Sequence, residues 1–302
     1  MSNVIIAKPF VKWAGGKGQL LPQLESHLPQ AIYNEDFAYC EPFVGGGAML
    51  FFMLQKFPNI KQVIINDINV NLTNLYSVIK ENVDALVSEL KDIEREYCGL
   101  IDENSKKEFY LKMRNLFNKQ SGDKLRKSAF FIFLNRTCFN GLYRENSKGY
   151  FNVPFGRYTN PTICNEDVLK ADSELLNLFN VQILTGDFRE TASKIHSNML
   201  NFFYFDPPYR PLNATSSFNT YVKEPFNDEC QIELAHFCNM ITEHDNVLWM
   251  LSNADCSAKN PEDLFFETIY QDFNINRVFA SRAINSNPEK RGKLTELLIC
   301  NY

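Results

Sequence analysis

Residues 37–54 read FAYCEPFVGGGAMLFFML, and residues 62–67 read QVIIND. The apolar start of the first stretch predicts a buried strand, its run of three glycines predicts a turn, and its apolar end predicts a helix. The second stretch is rich in β-branched residues, so it predicts another strand, with Asp67 at its end. A strand, a glycine turn, a helix and a strand that ends in an acid form the first half of a nucleotide-binding βαβ unit.

The same alternation returns in the second half of the chain. Short strands of the buried type are predicted at residues 181–184, 201–205 and 247–251. Residues 268–279 and 294–301 are predicted to pair as a closing hairpin. Together with the first unit, these segments predict a doubly wound α/β sheet.

A helical stretch interrupts this alternation. Apolar residues at helical spacing predict a helix over residues 71–90, and charged helical segments follow it as far as residue 163. The aromatic run over residues 130–133 is expected to lie in the core of this stretch. A loop rich in Asn, Gly, Arg and Tyr, residues 140–158, is predicted to fold back like a hairpin.

Composition excludes several classes of protein. The chain has 302 residues, of which 45% are hydrophobic and 22% are charged, so it is neither a disordered chain nor a small disulfide scaffold. The strongest apolar run, Ala129 to Leu134, is far shorter than the roughly 20 residues that a membrane helix needs. The first residues lack the pattern of a signal peptide, and the eight cysteines form no CxxC pair. We therefore expect a cytoplasmic protein with reduced thiols, without a membrane segment or a metal site.

Charge is distributed unevenly along the chain. The segment from Ser105 to Pro161 has twelve basic and three acidic residues, a formal charge of +9, so the rest of a chain whose total is −5 carries −14. A basic segment in an acidic protein is typical of a contact with nucleic acid or another polyanion. A solvated basic surface explains the charge alone equally well.

The tetrapeptide Asp206-Pro-Pro-Tyr209 directly follows the predicted strand at residues 201–205. Ligands of open α/β sheets bind at the carboxyl ends of the strands, which is where this motif is expected. Its two prolines stiffen the backbone and carry no N–H group. Such a turn can present a carboxylate and a backbone carbonyl to one amino group, and Tyr209 offers a flat face on which a base can stack.

Two further motifs lie towards the amino terminus. In Glu41-Pro-Phe-Val-Gly45-Gly-Gly, the glycines allow a ligand to approach the backbone closely, and Asp67 lies where an acid binds ribose hydroxyls in nucleotide-binding folds. Taken alone, Asp67 is better explained as a strand-end or helix-capping aspartate. The segment from Lys8 to Lys17 superficially suggests a phosphate loop. It lacks the four-residue spacer and the Ser or Thr after the lysine, so it argues against a nucleoside triphosphatase.

The ordered set KWAGGK, EPFVGGG, IND, NGLYR, FNVPFGRY and DPPY resembles the Dam family (D12 class) of adenine-N6 DNA methyltransferases, from Lys8 through nearly the whole chain. The resemblance is closest to members that methylate the adenine of GATC. It implies a Rossmann-like S-adenosylmethionine-dependent methyltransferase sheet with an inserted helical target-recognition domain. Residues 1–70 and 164–302 would form the catalytic domain, and residues 71–163 the recognition insert.

The resemblance also implies roles for individual residues. Catalysis would rest on Asp206, Pro207 and Tyr209. The residues that match cofactor-binding positions are Trp13, Lys17, Phe43, Gly45, Asp67, Asp187, Phe188 and Asp206. The residues that match DNA-binding positions are Arg144, which would read a guanine, Pro154, Arg157 and Tyr158. Contact with phosphates instead of bases remains an alternative for Arg144, Arg157 and Tyr158.

The implied reaction transfers a methyl group from S-adenosylmethionine to N6 of an adenine that is flipped out of double-stranded DNA, without a metal. RNA adenine methylation and a non-catalytic DNA-binding module of the same fold are the alternatives. The sequence leaves open whether a restriction endonuclease acts beside the protein. Ser216, Ser217 and Tyr221 match a family loop that would help to close over the flipped base, and residues 282–293 are expected to form a loop near the DNA. His236 and Cys238 lie on a helical stretch without metal-site spacing.

Overall fold

The structure is a computed structural model that describes residues 6–119, 122–211, 226–280 and 294–302. Ser216, Ser217, Tyr221 and the segment 282–293, which the sequence places in loops near DNA, lie outside the described residues.

The core of the fold is a seven-stranded sheet with the strand order β3-β2-β1-β4-β5-β7-β6. The first five strands in this order are parallel, and β7 runs antiparallel to both β5 and β6. The strands are β1 (Phe37–Glu41), β2 (Ile60–Asp67), β3 (Gln182–Thr185), β4 (Leu200–Phe205), β5 (Val247–Ala254), β6 (Asn274–Ala280) and β7 (Leu294–Cys300). This arrangement confirms the doubly wound sheet expected from the sequence.

Helices cover the sheet. They are α1 (Leu21–Ser26), α2 (Ala31–Asn34), α3 (Ala48–Lys56), α4 (Val70–Cys98), α5 (Glu103–Lys119), α6 (Lys124–Thr137), α7 (Glu166–Leu178), α8 (Asp228–Thr242) and α9 (Phe265–Ile269), with 3-10 turns at Phe139–Gly141 and Phe188–Lys194. One apolar cluster packs α3, α4 and α7 against the sheet, and a second packs α8 and α9 against it. Every residue of β1 is buried, which agrees with the nearly continuous apolar character of a strand covered on both faces.

The closing hairpin differs from its expected bounds. The sequence predicts a strand from residue 268, but Phe265–Ile269 is a helix, and β6 begins only at Asn274. The aromatic residues Phe266 and Tyr270 explain the difference, because both bury their side chains at helical spacing in the second cluster. A short apolar segment of this kind does not reveal its period from the sequence alone.

Between β2 and β3, the described residues form four α-helices, α4 to α7. The helix predicted over residues 71–90 extends to Cys98 and contains one non-helical residue, Asn82. The aromatic run of α6 is buried, as expected for a core segment, and its residues belong to the same apolar cluster as the β1 and β2 side chains. After α6 the chain folds back on itself through antiparallel bridges that pair Cys138 with Phe155 and Glu145 with Phe151.

Within the described ranges, no helix is both long and apolar enough to cross a membrane. The same residues contain no group of three or more His, Cys, Asp and Glu side chains arranged to hold a metal ion.

Candidate active site

The candidate site lies where the strand order reverses, between β1 and β4. At this point the connections of neighbouring parallel strands leave in opposite directions, which opens a crevice at their carboxyl ends. The glycine turn follows β1, and Asp206 directly follows β4. The two motifs that the sequence singled out therefore meet at one edge of the sheet.

Asp206 is held by a cation from the amino-terminal segment. The Nζ atom of Lys17 lies 2.9 Å from the Oδ1 atom of Asp206, and Lys17 itself is only 3% exposed. Burial raises the pKa of Asp206 to about 6, and the positive charge and hydrogen bond of Lys17 oppose that rise. The ion pair therefore keeps a buried carboxylate ionised near neutral pH.

Tyr209 and Glu296 complete this group. The Tyr209 hydroxyl donates to Oε2 of Glu296 at 2.7 Å, and the Lys17 ammonium lies 4.4 Å from the centre of the Tyr209 ring. Lys17 also pairs with Glu296 at 3.9 Å, so two carboxylates share one ammonium. We call Lys17, Asp206, Tyr209 and Glu296 the catalytic cluster. Its four members come from three separate segments of the chain, which contain Lys17, the Asp206–Tyr209 motif and Glu296.

The glycine turn is tied to the end of β2. The backbone N–H of Gly45 donates to Oδ2 of Asp67 at 3.1 Å, and the N–H of Asn69 donates to its Oδ1 atom at 2.9 Å. Burial raises the pKa of Asp67 to about 6, and these two backbone bonds oppose the rise. Asp67 thus accepts bonds on both oxygens while retaining lone pairs for a hydroxyl-bearing ligand.

Trp13 packs directly on the same turn. Gly45 has a φ of +48°, and a Cβ atom there would come within 2.9 Å of the Trp13 indole ring. The indole also stacks against Phe131 of α6, with a centroid separation of 6.4 Å. The glycine is required here by its positive φ and by the close packing of Trp13.

Phe43 and Phe188 lie together on the other side of the turn, with ring centres 5.3 Å apart. Asp187 precedes Phe188 and forms a two-pronged ion pair with Arg189, whose Nε and Nη2 atoms lie 2.8 and 2.9 Å from its oxygens. These bonds lower the pKa of Asp187. Asp187 is therefore an ionised, partly exposed acceptor beside an aromatic surface.

Glu41 is a further buried carboxyl group that the sequence analysis left without a role. It accepts a hydrogen bond of 2.8 Å from the Tyr39 hydroxyl. Burial raises the pKa of Glu41 well above its ordinary value, and the nearby negative charge of Asp206 adds to the rise. Glu41 is the last residue of a strand that the sequence predicts, and this position could have identified it as a candidate site residue.

The amino-terminal segment that carries Trp13 and Lys17 is anchored on α6. The side chain of Asn135 accepts from the Lys12 N–H and donates to the Lys12 carbonyl, both at 2.8 Å. Asn135 also donates to the Gly141 carbonyl at 3.0 Å, at the start of the hairpin-like loop. This buried amide links the loop of the helical segment to the segment that enters the catalytic cluster.

The four residues expected to contact DNA lie on that hairpin-like loop. Arg144 is exposed and donates through Nε to Asn152 at 2.7 Å, and Pro154 is exposed. Arg157 has a φ of +52° and pairs with Glu103 of α5 at 3.2 Å. Tyr158 lies under the ammonium of Lys12, 4.7 Å from the ring centre. Arg144 and Pro154 are therefore exposed on this loop, and Arg157 and Tyr158 have partners on α5 and on the amino-terminal segment.

Sequence reasoning missed Glu296, whose place in the site depends on the sheet order. A single acidic residue within the otherwise largely apolar β7 is the signal that could have found it. It also missed two buried amides, Gln231 of α8 and Asn253 of β5, which hold the backbone beside Tyr209.

Comparison with known proteins is consistent with this site. The model of a protein family described as "D12 class N6 adenine-specific DNA methyltransferase" matches residues 13–284 of this chain. The chain is 49% identical to the type II methyltransferase M.MjaIII of Methanocaldococcus jannaschii, over 98% of this chain and 99% of that protein. It is 37% identical to the type II methyltransferase M1.LlaDCHI of Lactococcus lactis subsp. cremoris, over 99% and 97%. It is 33% identical to a DNA adenine methylase of Vibrio cholerae, over 96% and 95%. With these matches, the expected Rossmann-like methyltransferase fold is confirmed.

Proposed function

This chain belongs to the D12 class of N6 adenine-specific DNA methyltransferases, and from that premise we propose that it methylates the adenine of GATC in duplex DNA after flipping that base out of the helix. The observation that carries the proposal is the catalytic cluster, in which an ionised carboxylate, a rigid proline turn and an aromatic ring converge at the strand-order reversal. The GATC site rests on the resemblance of NGLYR and FNVPFGRY to enzymes of that specificity.

The family implies S-adenosylmethionine as the methyl donor, and the residues present fit it. The N–H group of Gly45 and the carboxylate of Asp67 lie at the carboxyl ends of β1 and β2, the edge of the sheet where nucleotide ligands of this fold bind. Asp67 would accept from the ribose hydroxyls, and Asp187 with the rings of Phe43 and Phe188 would hold the adenine. When bound, S-adenosylmethionine supplies an electrophilic methyl group on a cationic sulfur.

The electrostatics of the catalytic cluster also suit a cationic ligand. Lys17, Asp206 and Glu296 together carry one net negative charge, since two carboxylates share a single ammonium. A sulfonium brought near this group is favoured by that charge balance in a site shielded from water. Lys17 and Trp13 would help to place the donor, as their match to cofactor-binding positions implies.

The chain's own residues would activate the adenine amino group. Its nitrogen is a weak nucleophile because the lone pair is delocalised into the ring. Asp206 and the Pro207 carbonyl would accept its two N–H groups, localise the lone pair and align it with the methyl carbon. Tyr209 would stack on the flipped base, held in its orientation by Glu296.

Asp206 is also suited to receive a proton. Once the amino nitrogen has gained a methyl group, it carries a positive charge and loses a proton readily. A carboxylate whose pKa is raised to about 6 by burial accepts that proton more easily than an ordinary aspartate does. The pairing with Lys17 keeps the carboxylate ionised before the transfer.

The helical insert, residues 71–163, would recognise the target. Arg144 uses Nε to bind Asn152, which leaves its two terminal nitrogens in the fork geometry that reads the O6 and N7 atoms of guanine. Phe139 is a large apolar side chain that is 51% exposed in a 3-10 turn, and its N–H binds the Pro154 carbonyl. An exposed apolar group beside basic residues is suited to wedge between base pairs.

We further infer that the protein works beside a restriction endonuclease. Two of the proteins that it resembles over nearly their full length are named type II methyltransferases.

The two ends of the chain, residues 1–70 and 164–302, would form the catalytic domain of such an enzyme.

The test is nucleoside mass spectrometry of a GATC duplex and a scrambled duplex after incubation with the protein and S-adenosylmethionine. We expect N6-methyladenine only in the GATC duplex, and none with the Asp206→Ala variant, which should keep the fold as judged by circular dichroism. Methyladenine in both duplexes would reject the GATC site, and methyladenine only in a matched RNA would reject DNA as substrate. Cofactor binding without transfer to any of these strands would indicate a different target sequence, and loss of cofactor binding as well would indicate the non-catalytic module.

A further inference from the structure

Two buried side-chain amides lie behind the Asp206–Tyr209 motif. Gln231 is on α8 and Asn253 is on β5, and both are 0% exposed. Neither residue belongs to the motifs that point to the reaction. Fully buried amides are uncommon and need hydrogen-bond partners for their oxygens and nitrogens.

The two amides form a chain of bonds around Tyr209. Gln231 donates through Nε2 to the Pro208 carbonyl at 3.0 Å, and Asn253 donates through Nδ2 to Oε1 of Gln231 at 3.1 Å. The Oδ1 atom of Asn253 accepts from the N–H of Arg210 at 3.3 Å and from that of Ala254 at 2.8 Å. The pair thus holds the backbone group before Tyr209 and the one after it.

These bonds allow only one orientation of each amide. The Pro208 carbonyl can only accept, so Gln231 must turn its nitrogen towards it and its oxygen towards Asn253. Asn253 must then donate to Gln231, which leaves its oxygen facing the Arg210 N–H. If either amide were reversed, two oxygens or two N–H groups would face each other.

The motif needs such side-chain support because its own backbone offers little. The pairing of β4 with β5 ends at Phe205, opposite Leu251. Pro207 and Pro208 carry no N–H group with which they could extend a strand ladder. The carboxyl end of the motif is held by a second set of contacts, since the guanidinium of Arg210 pairs with Asp228 at 2.8 Å and with Asp263 at 2.7 Å. Loss of the amide pair is therefore expected to misalign the motif without releasing it.

We propose that Gln231 and Asn253 are positioning residues for methyl transfer, which orient the Pro207 carbonyl and the Tyr209 ring without touching the substrate. The inference rests on the proposed function, since its effect is on the alignment of the adenine amino group. Transfer depends steeply on this alignment, because a misplacement of about 1 Å can lower a rate about 100-fold.

The test compares Gln231→Met and Gln231→Glu with wild type in single-turnover methylation of a GATC duplex at saturating S-adenosylmethionine. Met keeps the volume of Gln but forms neither bond. We expect Gln231→Met to lower the rate about 10- to 100-fold, while the dissociation constant of S-adenosylmethionine changes less than about twofold and the apparent affinity for DNA is retained.

The Gln231→Glu variant distinguishes a positioning role of Gln231 from a purely structural one through the pH dependence of its rate. A protonated glutamic acid can donate its O–H to the Pro208 carbonyl and accept from Asn253, as Gln does, whereas the carboxylate would repel that carbonyl. Burial disfavours the charged form. The rate of this variant relative to wild type should therefore rise as the pH is lowered from 8 towards 6, and the relative rate of Gln231→Met should stay constant.

Asn201→Leu serves as the matched control. Asn201 is a buried amide at the opposite end of β4 that donates to the carbonyls of His196 and Met199, both at 2.9 Å. We expect this variant to lose thermal stability but to keep the wild-type rate well below its melting temperature.

Two outcomes would overturn the positioning role alone. One is a Gln231→Met rate equal to that of wild type, and the other is a loss of rate that follows the melting temperature in all variants. A wild type that methylates no duplex would overturn the proposed function and this role with it.

Discussion

The pairing of Lys17 with Asp206 makes a quantitative prediction about pH dependence. Lys17 is almost completely buried, and its ammonium lies 2.9 Å from the Asp206 carboxylate. Lys17→Met keeps the length of the side chain but removes its charge. Asp206 then stays buried beside the negative charge of Glu296, which raises its pKa further.

The size of the change follows from the pKa of about 6 in wild type, where burial is the larger influence and Lys17 opposes it. A nearby opposite charge lowers a carboxyl pKa by about 1 to 3 pH units, so removing it should bring that of Asp206 to about 7 to 9. At about 1.4 kcal/mol per pH unit, this is about 1.4 to 4 kcal/mol of lost stabilisation of the carboxylate. A pKa of about 8 would leave about one tenth of the molecules ionised at pH 7.

In the proposed mechanism the active form of Asp206 is the carboxylate, so activity should be lost as the pH falls through its folded-state pKa. We expect the acid limb of single-turnover methylation to have its midpoint near pH 6 in wild type and about 1 to 3 pH units higher in Lys17→Met. The assay uses S-adenosylmethionine at a concentration shown by calorimetry to saturate each variant. Lys61→Met, which removes an exposed ion pair with Asp36 at 3.2 Å, should leave the profile unchanged. A Lys17→Met rate that is reduced equally at every pH would refute the reasoning.

Three other residues give direct tests. Asp172 is fully buried and accepts from the Lys8 N–H, and burial raises its pKa to about 8. The folded protein therefore holds a proton that the unfolded chain releases above about pH 4, and stability falls as pH rises between these values. The gain in melting temperature of Asp172→Asn over wild type should grow from pH 5 to pH 8, and a pH-independent difference would contradict this. Arg144→Ala should cost about 1–3 kcal/mol of discrimination at one guanine in competition between GATC and single-substitution duplexes. An equal loss on all sequences would indicate a phosphate contact. Phe139→Ala should weaken binding and base flipping, followed by 2-aminopurine fluorescence at the target position, without changing S-adenosylmethionine affinity. A 2-aminopurine signal equal to that of wild type would contradict the proposal that Phe139 wedges between base pairs.

Several parts of the fold could be predicted from local sequence. The strands β1, β2, β4 and β5 begin or end within a few residues of their predicted bounds, because buried parallel strands are short apolar runs with little ambiguity. The helix α9 shows the limit of this reasoning. Its five residues are too few for the helical and strand periods to be distinguished, and burial in the second apolar cluster determined which one formed.

The candidate site also contains residues that local sequence could predict and residues that it could not. The glycine turn and the Asp206–Tyr209 motif could be found because each is a contiguous run with its own backbone requirement, namely positive φ and proline stiffness. Glu296, Gln231 and Asn253 could not be found in this way. Each is one polar residue in an ordinary strand or helix. The apolar neighbours of Glu296 mark it as unusual, but nothing in any of the three segments shows which groups the side chain meets.

The sequence by itself determined the α/β class, the place of the reactive motif after β4 and the basic character of the segment between the strands, since these depend on neighbouring residues. The tertiary structure decided which charges meet. Lys17 and Glu296 are 279 positions apart in the chain, and only the order β4-β5-β7 brings Glu296 within reach of Tyr209 and the ammonium. The pKa of Asp206 depends on that meeting and on burial, because a carboxyl group responds to the charges and solvent around it in space and not to its neighbours in sequence.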